Sequence, residues 1–186
     1  MRVRRAFRSL PVFPLSMMIL ALSATSVQAA TYVVDSTVDA VDVDPFDGIC
    51  ATASATCTLR AAVRTANATA GADVISLPAG TYTLTIAGDF ENGAAEGDLD
   101  VTDALTIAGA GAATTILDGN GFDQVLELLD TSLEIRDVTI RHGQGGLATR
   151  NGSLTVTRVV VTENGLVGTG IGGIAVRSMR RRRRVS

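Results

Sequence analysis

Leu126-Glu-Leu-Leu-Asp-Thr-Ser-Leu-Glu-Ile-Arg-Asp-Val-Thr-Ile140 is the stretch whose reading decides the fold. Three apolar-x-apolar cores, Leu126-x-Leu128, Leu133-x-Ile135 and Val138-x-Ile140, follow one another with polar or turn-forming residues between most of them. Side chains alternate across a strand, so each core reads as a short strand with two residues turned inward. The same texture begins at Asp73 and recurs. Leu84-Thr-Ile86, Leu105-Thr-Ile107, Leu133-Glu-Ile135 and Leu154-Thr-Val156 follow at spacings of 21, 28 and 21 residues. A second series is phased to the first: Thr114-Thr-Ile116, Val138-Thr-Ile140 and Val159-Val-Val161, each running into a turn rich in Gly, Asn or His. Strands this short and this closely turned suit coils that stack on one another better than the longer strand spacing of a sandwich. The expected fold is therefore all-β, a short parallel β-helix of about four coils over residues 73–176, with an irregular β-sandwich as the competing arrangement.

Upstream of the repeats the pattern differs. Thr31-Tyr-Val-Val-Asp-Ser-Thr-Val38 alternates as one strand, and Thr58-Leu-Arg-Ala-Ala-Val-Arg-Thr-Ala-Asn-Ala-Thr-Ala70 predicts a helix. Thr58 can cap it, Leu59, Ala62, Val63 and Ala66 fall on one face, and Asn67 to Gly71 supplies the exit. Arg60 and Arg64 lie four apart on the helix; in an acidic protein the expected partners of two such cations are Asp residues rather than a substrate. Residues 30–72 thus read as a strand-plus-helix module that caps the repeats.

Charge divides the chain into three parts. All 16 basic residues are Arg, against 19 acids, for a net charge of −3. Residues 1–29 carry four Arg and no acid, residues 30–176 carry six Arg and every acid, and residues 177–186 carry six Arg. The acidic middle would repel phosphates, which excludes a nucleic-acid partner for it, and the absence of Lys excludes chemistry that needs a Schiff-base lysine. Arg2, Arg4, Arg5 and Arg8, the apolar run Leu10 to Ala24 and the small-residue exit Val27-Gln28-Ala29 have the layout of a secretory signal peptide over residues 1–29. A membrane anchor is the alternative, but Pro11, Pro14 and Ser16 interrupt a run already short for a span of about 20 residues. The expectation is export to the cell surface or beyond, with no membrane-spanning segment after cleavage. At the other end the repeat begins what reads as a fifth coil at residues 168–176 and dissolves into Arg177-Ser-Met-Arg-Arg-Arg-Arg-Arg184. A frame-shifted or shortened end is the expected cause, with a disordered or anion-binding tail as the alternatives.

Export gives the two cysteines meaning. Cys50 and Cys57 enclose six residues, and an even count in an oxidising compartment favours a disulfide; a zinc site is the weaker alternative, because no His or further Cys lies nearby. Asp42, Asp44 and Asp47 lie in a loop that superficially looks like a calcium loop. It fails the EF-hand spacing, since Pro45-Phe46 displaces the third Asp and Ala53 occupies the twelfth position. A solvated acidic turn is the expectation, calcium at these three residues the alternative, and no other cofactor is indicated.

Taken jointly, Cys57-Thr-Leu-Arg-Ala-Ala62, Leu77-Pro-Ala-Gly-Thr-Tyr-Thr-Leu84, Gly97-Asp-Leu-Asp-Val-Thr102 and residues 105–121 resemble the bacterial CSLREA-domain proteins. The resemblance covers about residues 31–165. It implies an exported or cell-surface protein whose N-terminal module leads into a right-handed parallel β-helix of the pectate-lyase-like type. Within the signature motif Cys57, Thr58, Leu59, Arg60, Ala61 and Ala62, this chain departs twice: Thr58 stands for Ser and Ala61 for Glu. The first keeps a capping hydroxyl, whereas the second removes a carboxylate that could close a capping box.

The same fold carries polysaccharide lyases and hydrolases, so catalysis is the alternative function. Asp118, Arg141 and His142 are the candidate catalytic residues, although Asp118 in Leu-Asp-Gly-Asn-Gly is accounted for by an Asx turn and His142 by an exposed bend. The reading preferred on sequence is a non-catalytic structural or adhesive module whose partner is an envelope polysaccharide or other surface component.

Overall fold

The computed structural model describes residues 28–88, 91–165 and 174–177, the last four as backbone only. The signal segment, apart from Gln28 and Ala29, and the Arg-rich tail after Arg177 lie outside the described residues.

One helix and thirteen strands make up the described chain. The first strand, β1 (Thr31–Val33), precedes the helix α1 (Leu59–Ala68). The strands β2 (Asp73–Leu77), β3 (Gly80–Thr83) and β4 (Leu99–Val101) form a first round, and β5 (Leu105–Gly109), β6 (Thr115–Asp118) and β7 (Gln124–Leu129) a second. A third comprises β8 (Ser132–Arg136), β9 (Thr139–Arg141) and β10 (Gly145–Arg150), and a fourth β11 (Ser153–Thr157), β12 (Val160–Thr162) and β13 (Ile174–Arg177). Each round sends one strand to each of three sheets, ordered β1-β2-β5-β8-β11, β3-β6-β9-β12 and β4-β7-β10-β13, and every pairing is parallel. The protein is all-β, built from parallel sheets.

Parallel in-register pairing stacks like on like. Tyr32, Ile75, Ile107, Ile135 and Val156 form one inward column across the first sheet. The first four are at most 6% exposed, whereas Val156 is 40% exposed. Leu99, Leu126 and Leu147 form a second column in the third sheet, and Leu117 and Ile140 belong to a third. All but Val156 join one continuous apolar core, which also takes in Leu59, Ala62, Val63 and Ala66 of α1.

Two strand alignments differ from the sequence expectation. Leu105 and Ile107 pair with Asp73 and Ile75, not with Leu84 and Ile86. The first round carries a long excursion between β3 and β4, so the matching 21-residue spacing of Leu84-Thr-Ile86 was fortuitous. In the second sheet Ile140 faces Leu117, one residue on from Ile116. Because the side-chain period is two, that single step puts Leu117 inside and leaves Ile116 half-buried. The segment Ile174–Arg177 pairs with β10 and so completes the fourth round rather than opening a fifth.

The residues before Asp73 cover one end of the three sheets. Thr58 caps α1, its hydroxyl accepting from the Ala61 N–H at 3.1 Å while donating to the Ala40 carbonyl at 2.6 Å. Strand β1 pairs with the free edge of β2. At the free edge of β4 the Asn67 side chain behaves as a neighbouring strand would, donating to the Asp100 carbonyl at 2.7 Å and accepting from the Thr102 N–H at 2.9 Å. Both devices satisfy ladder groups that would otherwise be unpaired. Cys50 and Cys57 are bonded to each other, with their Cα atoms 5.1 Å apart. No described helix is long and apolar enough to cross a membrane.

Candidate functional site

Two clusters of charged side chains arise where the rounds stack. The first gathers the catalytic candidates read from sequence. Register places Asp118 at the end of β6 beside Arg141 at the end of β9, with His142 at the bend that follows. Asp118 Oδ2 accepts from Arg141 Nε at 2.9 Å and lies 3.0 Å from His142 Nδ1; His142 Nε2 is 3.0 Å from Glu163 Oε2, one round further on. Asp118 Oδ1 accepts from the Asn120 N–H at 3.1 Å, which is the Asx turn expected there. Burial pushes the Asp118 carboxyl up, but the Asn120 N–H, Arg141 and His142 outweigh it and hold the group below the usual carboxylate range. His142 adopts a left-handed backbone conformation (φ 56°), as do Asn120 and Glu163 at the equivalent bends of the neighbouring rounds. All three candidates therefore meet, and Glu163 joins them. Every polar side-chain atom of Asp118 and both ring nitrogens of His142 have partners within the cluster.

The second cluster was not singled out from sequence. Asp98-Leu-Asp-Val101 alternates, so Leu99 and Val101 turn into the core while Asp98 and Asp100 turn outward together. In the neighbouring strand Glu127 lies directly opposite Asp100, between the inward Leu126 and Leu128. Carboxylate oxygens of Asp98, Asp100 and Glu127 all lie within 4.8 Å of one another, and the three residues are buried. Arg150 forks onto Glu127, with Nε to Oε1 at 3.0 Å and Nη2 to Oε2 at 2.8 Å. Asp100 Oδ2 accepts from the Ala94 N–H at 3.3 Å, while its Oδ1 is buried with no partner. Burial first, then the neighbouring carboxylates Asp100, Asp123 and Glu127, push Asp98 up to about 8. Burial likewise raises Asp100 to about 7, with Glu91 and Glu127 adding to it, and the Ala94 N–H and Arg150 opposing it. Asp98 and Glu127 border a cavity of about 480 Å³, whose rim adds Glu91, Asp123 and the amides of Gln124 and Gln144. The sequence signal was present in the i, i+2 acids of Gly97-Asp-Leu-Asp-Val and in Leu-Glu-Leu128, but nothing in the sequence aligns strands 27 residues apart.

Asp98 is held in place from behind by Arg60. The Arg60 guanidinium is fully buried and pairs with Asp39 at 2.6 Å. It also donates to the carbonyls of Ala94, Gly97 and Asp98 at 3.2, 2.8 and 3.2 Å. Asp39 Oδ2 in turn accepts from the N–H groups of Thr85 and Ile86 at 2.7 and 3.0 Å. The expectation that Arg60 pairs with an Asp holds; Arg64 makes no ion pair among the described residues.

In the acidic loop Asp42 is buried rather than solvated, and the three carboxylates bond to N–H groups of the loop itself. Asp42 Oδ1 accepts from the Asp44 N–H and Oδ2 from the Ala51 N–H and the Thr65 hydroxyl, while Asp44 and Asp47 accept from the N–H groups of Phe46 and Ile49. Each carboxylate closes its own turn, and among the described residues the acids whose oxygens converge are Asp98, Asp100 and Glu127 instead. Compared with known proteins, the chain matches no family model, no curated protein and no solved structure.

Proposed function

We propose that this chain is an exported or cell-surface module, a short right-handed parallel β-helix like those of the CSLREA-domain proteins it resembles, with a structural and adhesive role and an envelope glycan as its ligand. The observation that carries this reading is the fixed order in which successive rounds visit the three parallel sheets, each strand stacked in register on its equivalent one round earlier. Such stacking leaves a flat outer face. On the first sheet it bears two outward columns, Thr31, Val74, Thr106, Glu134 and Thr155 beside Val33, Ser76, Ala108, Arg136 and Thr157. In the first column the hydroxyls of Thr31, Thr106 and Thr155 fall on every second strand, about 9.6 Å apart for a strand separation of about 4.8 Å, and with Glu134 and Arg136 between them they suit the repeated hydroxyl and carboxylate groups of a polysaccharide. Part of this face is indented around Thr106, Glu134 and Thr155 in a hollow of about 240 Å³.

A catalytic role would fall to Asp118, Arg141 and His142, yet Asp118 spends both oxygens inside its own network, so a proton-transfer role would require breaking it. Incubation of the purified chain with polygalacturonate and other uronans, with and without Ca2+, separates the two functions. The expected result is co-sedimentation with insoluble polysaccharide and no release of unsaturated or reducing ends. Product release that disappears in Asp118→Asn or His142→Asn would replace the adhesive reading with a lyase or hydrolase.

A further inference from the structure

We propose that Asp98, Asp100 and Glu127 form a binding site for a hard divalent cation, Ca2+ above all, that fastens the excursion between β3 and β4 to the outer face of the third sheet. Three carboxylates, each with an oxygen within 4.8 Å of the other two, are close enough to share one ion, since Ca2+ takes oxygen ligands at about 2.3–2.6 Å. Crowding alone would not identify a ligand. The independent observation is Asp100 Oδ1: the residue is 0% exposed, its other oxygen is satisfied by the Ala94 N–H, and this one has no donor among the described residues. Strand geometry puts the Asp100 carboxylate on the same face as Glu127, its direct cross-strand partner, and Asp98, its i−2 neighbour, within 4.8 Å of both. A buried carboxylate oxygen with no partner carries a desolvation cost that a bound cation removes.

The charge balance points the same way. Arg150 compensates Glu127, but among the described residues Asp98 and Asp100 have no basic side chain as hydrogen-bond partner, and Glu91 and Asp123 add further negative charge at the rim. All the ligands are oxygen, with neither His nor Cys, which selects Ca2+ or Mg2+ over zinc or copper. The open cavity beside Asp98 and Glu127 has room for several waters, which fits the larger, more flexible coordination shell of Ca2+. This inference is independent of the adhesive reading.

The test is a calorimetric titration of the full-length chain with Ca2+ alone after EDTA treatment and dialysis, paired with thermal unfolding in EDTA and in millimolar Ca2+. One ion should bind, with a Kd no weaker than roughly 1 mM, the range of extracellular calcium modules, and the unfolding midpoint should rise. Asp98→Asn and Asp100→Asn should each weaken binding by roughly tenfold or more and remove the rise, while Asp44→Asn in the acidic loop should leave both intact. Circular dichroism in EDTA shows whether each variant folds. Absence of both heat and midpoint shift in the unaltered chain overturns the proposal whatever the variants do. So does unimpaired binding in folded Asp98→Asn and Asp100→Asn, or loss of binding in Asp44→Asn alone.

Discussion

Replacing Arg60 with Met keeps most of the side-chain volume and deletes the guanidinium. Five hydrogen bonds go with it, two to Asp39 and one each to the carbonyls of Ala94, Gly97 and Asp98. Arg60 is 1% exposed and the Asp39 side chain 3%, so water does not take over directly. Removing one partner of a buried pair costs about 3–5 kcal/mol, because the other charge stays buried. Asp39 still accepts from Thr85 and Ile86, which keeps the estimate within that range, while the three carbonyls gain access to solvent only if the 94–98 segment shifts. With a urea m-value of about 2 kcal/mol/M, the midpoint should fall by about 1.5–2.5 M. Arg60→Lys keeps a charge but not the planar fork and should lose about 1–3 kcal/mol. In a cycle with Asp39→Asn, the double variant should be more stable than the two single losses imply, by about 0.5–3 kcal/mol. Urea unfolding followed by circular dichroism, with the disulfide intact, provides the measurement. A loss below about 1 kcal/mol for Arg60→Met, or strict additivity in the cycle, would refute the view that this pair clasps the helix to the excursion.

Three further outcomes follow from the same structure. Ile107→Ala, between Ile75 and Ile135 in the first-sheet column, should cost about 2–5 kcal/mol, whereas Val156→Ala, at a position 40% exposed, should cost clearly less; equal losses would mean that the columns do not form the core. The Asp118 carboxyl is held below its ordinary value of 3.8, so its contribution to stability is complete above that pH and is lost as pH falls through the folded value. Asp118→Asn should therefore flatten acid unfolding below about pH 4, and an unchanged acid limb would remove the network from the account. Thiol titration of the native protein should find no free cysteine, and Cys50→Ala/Cys57→Ala should lower stability by roughly 2–3 kcal/mol, read from the unfolding midpoint; two reactive thiols would show that the bond does not form.

Features that depend on neighbours a few residues apart were legible in the sequence. Thr58 caps the helix as its position implies, Cys50 and Cys57 meet across a short loop, and the period-two alternation identifies the inward residues of β5, β8 and β11. Arg60 could be assigned an acidic partner, because a cation on the helix of an acidic chain has many carboxylates to meet, but neither which Asp nor its burial could be read. Spacing misled where rounds differ in length: Leu84-Thr-Ile86 sits 21 residues before Leu105 and is not its partner. Residue count measures distance along the chain, and the excursion to β4 consumes residues without advancing the stack.

The amino-acid sequence by itself determined most of the short strands, the one helix and the all-β class, because each rests on local alternation, capping and turn chemistry, and the repeats favoured a parallel stack over a sandwich. Only the tertiary structure decided which strand lies over which. That choice set Leu117 rather than Ile116 inside, brought His142 between Asp118 and Glu163, and laid Glu127 against Asp98 and Asp100. The physical reason is that register between strands is set by the summed packing of a whole round and by the lengths of its turns. A shift of one residue exchanges inside for outside, and no single residue's preference is strong enough to announce it.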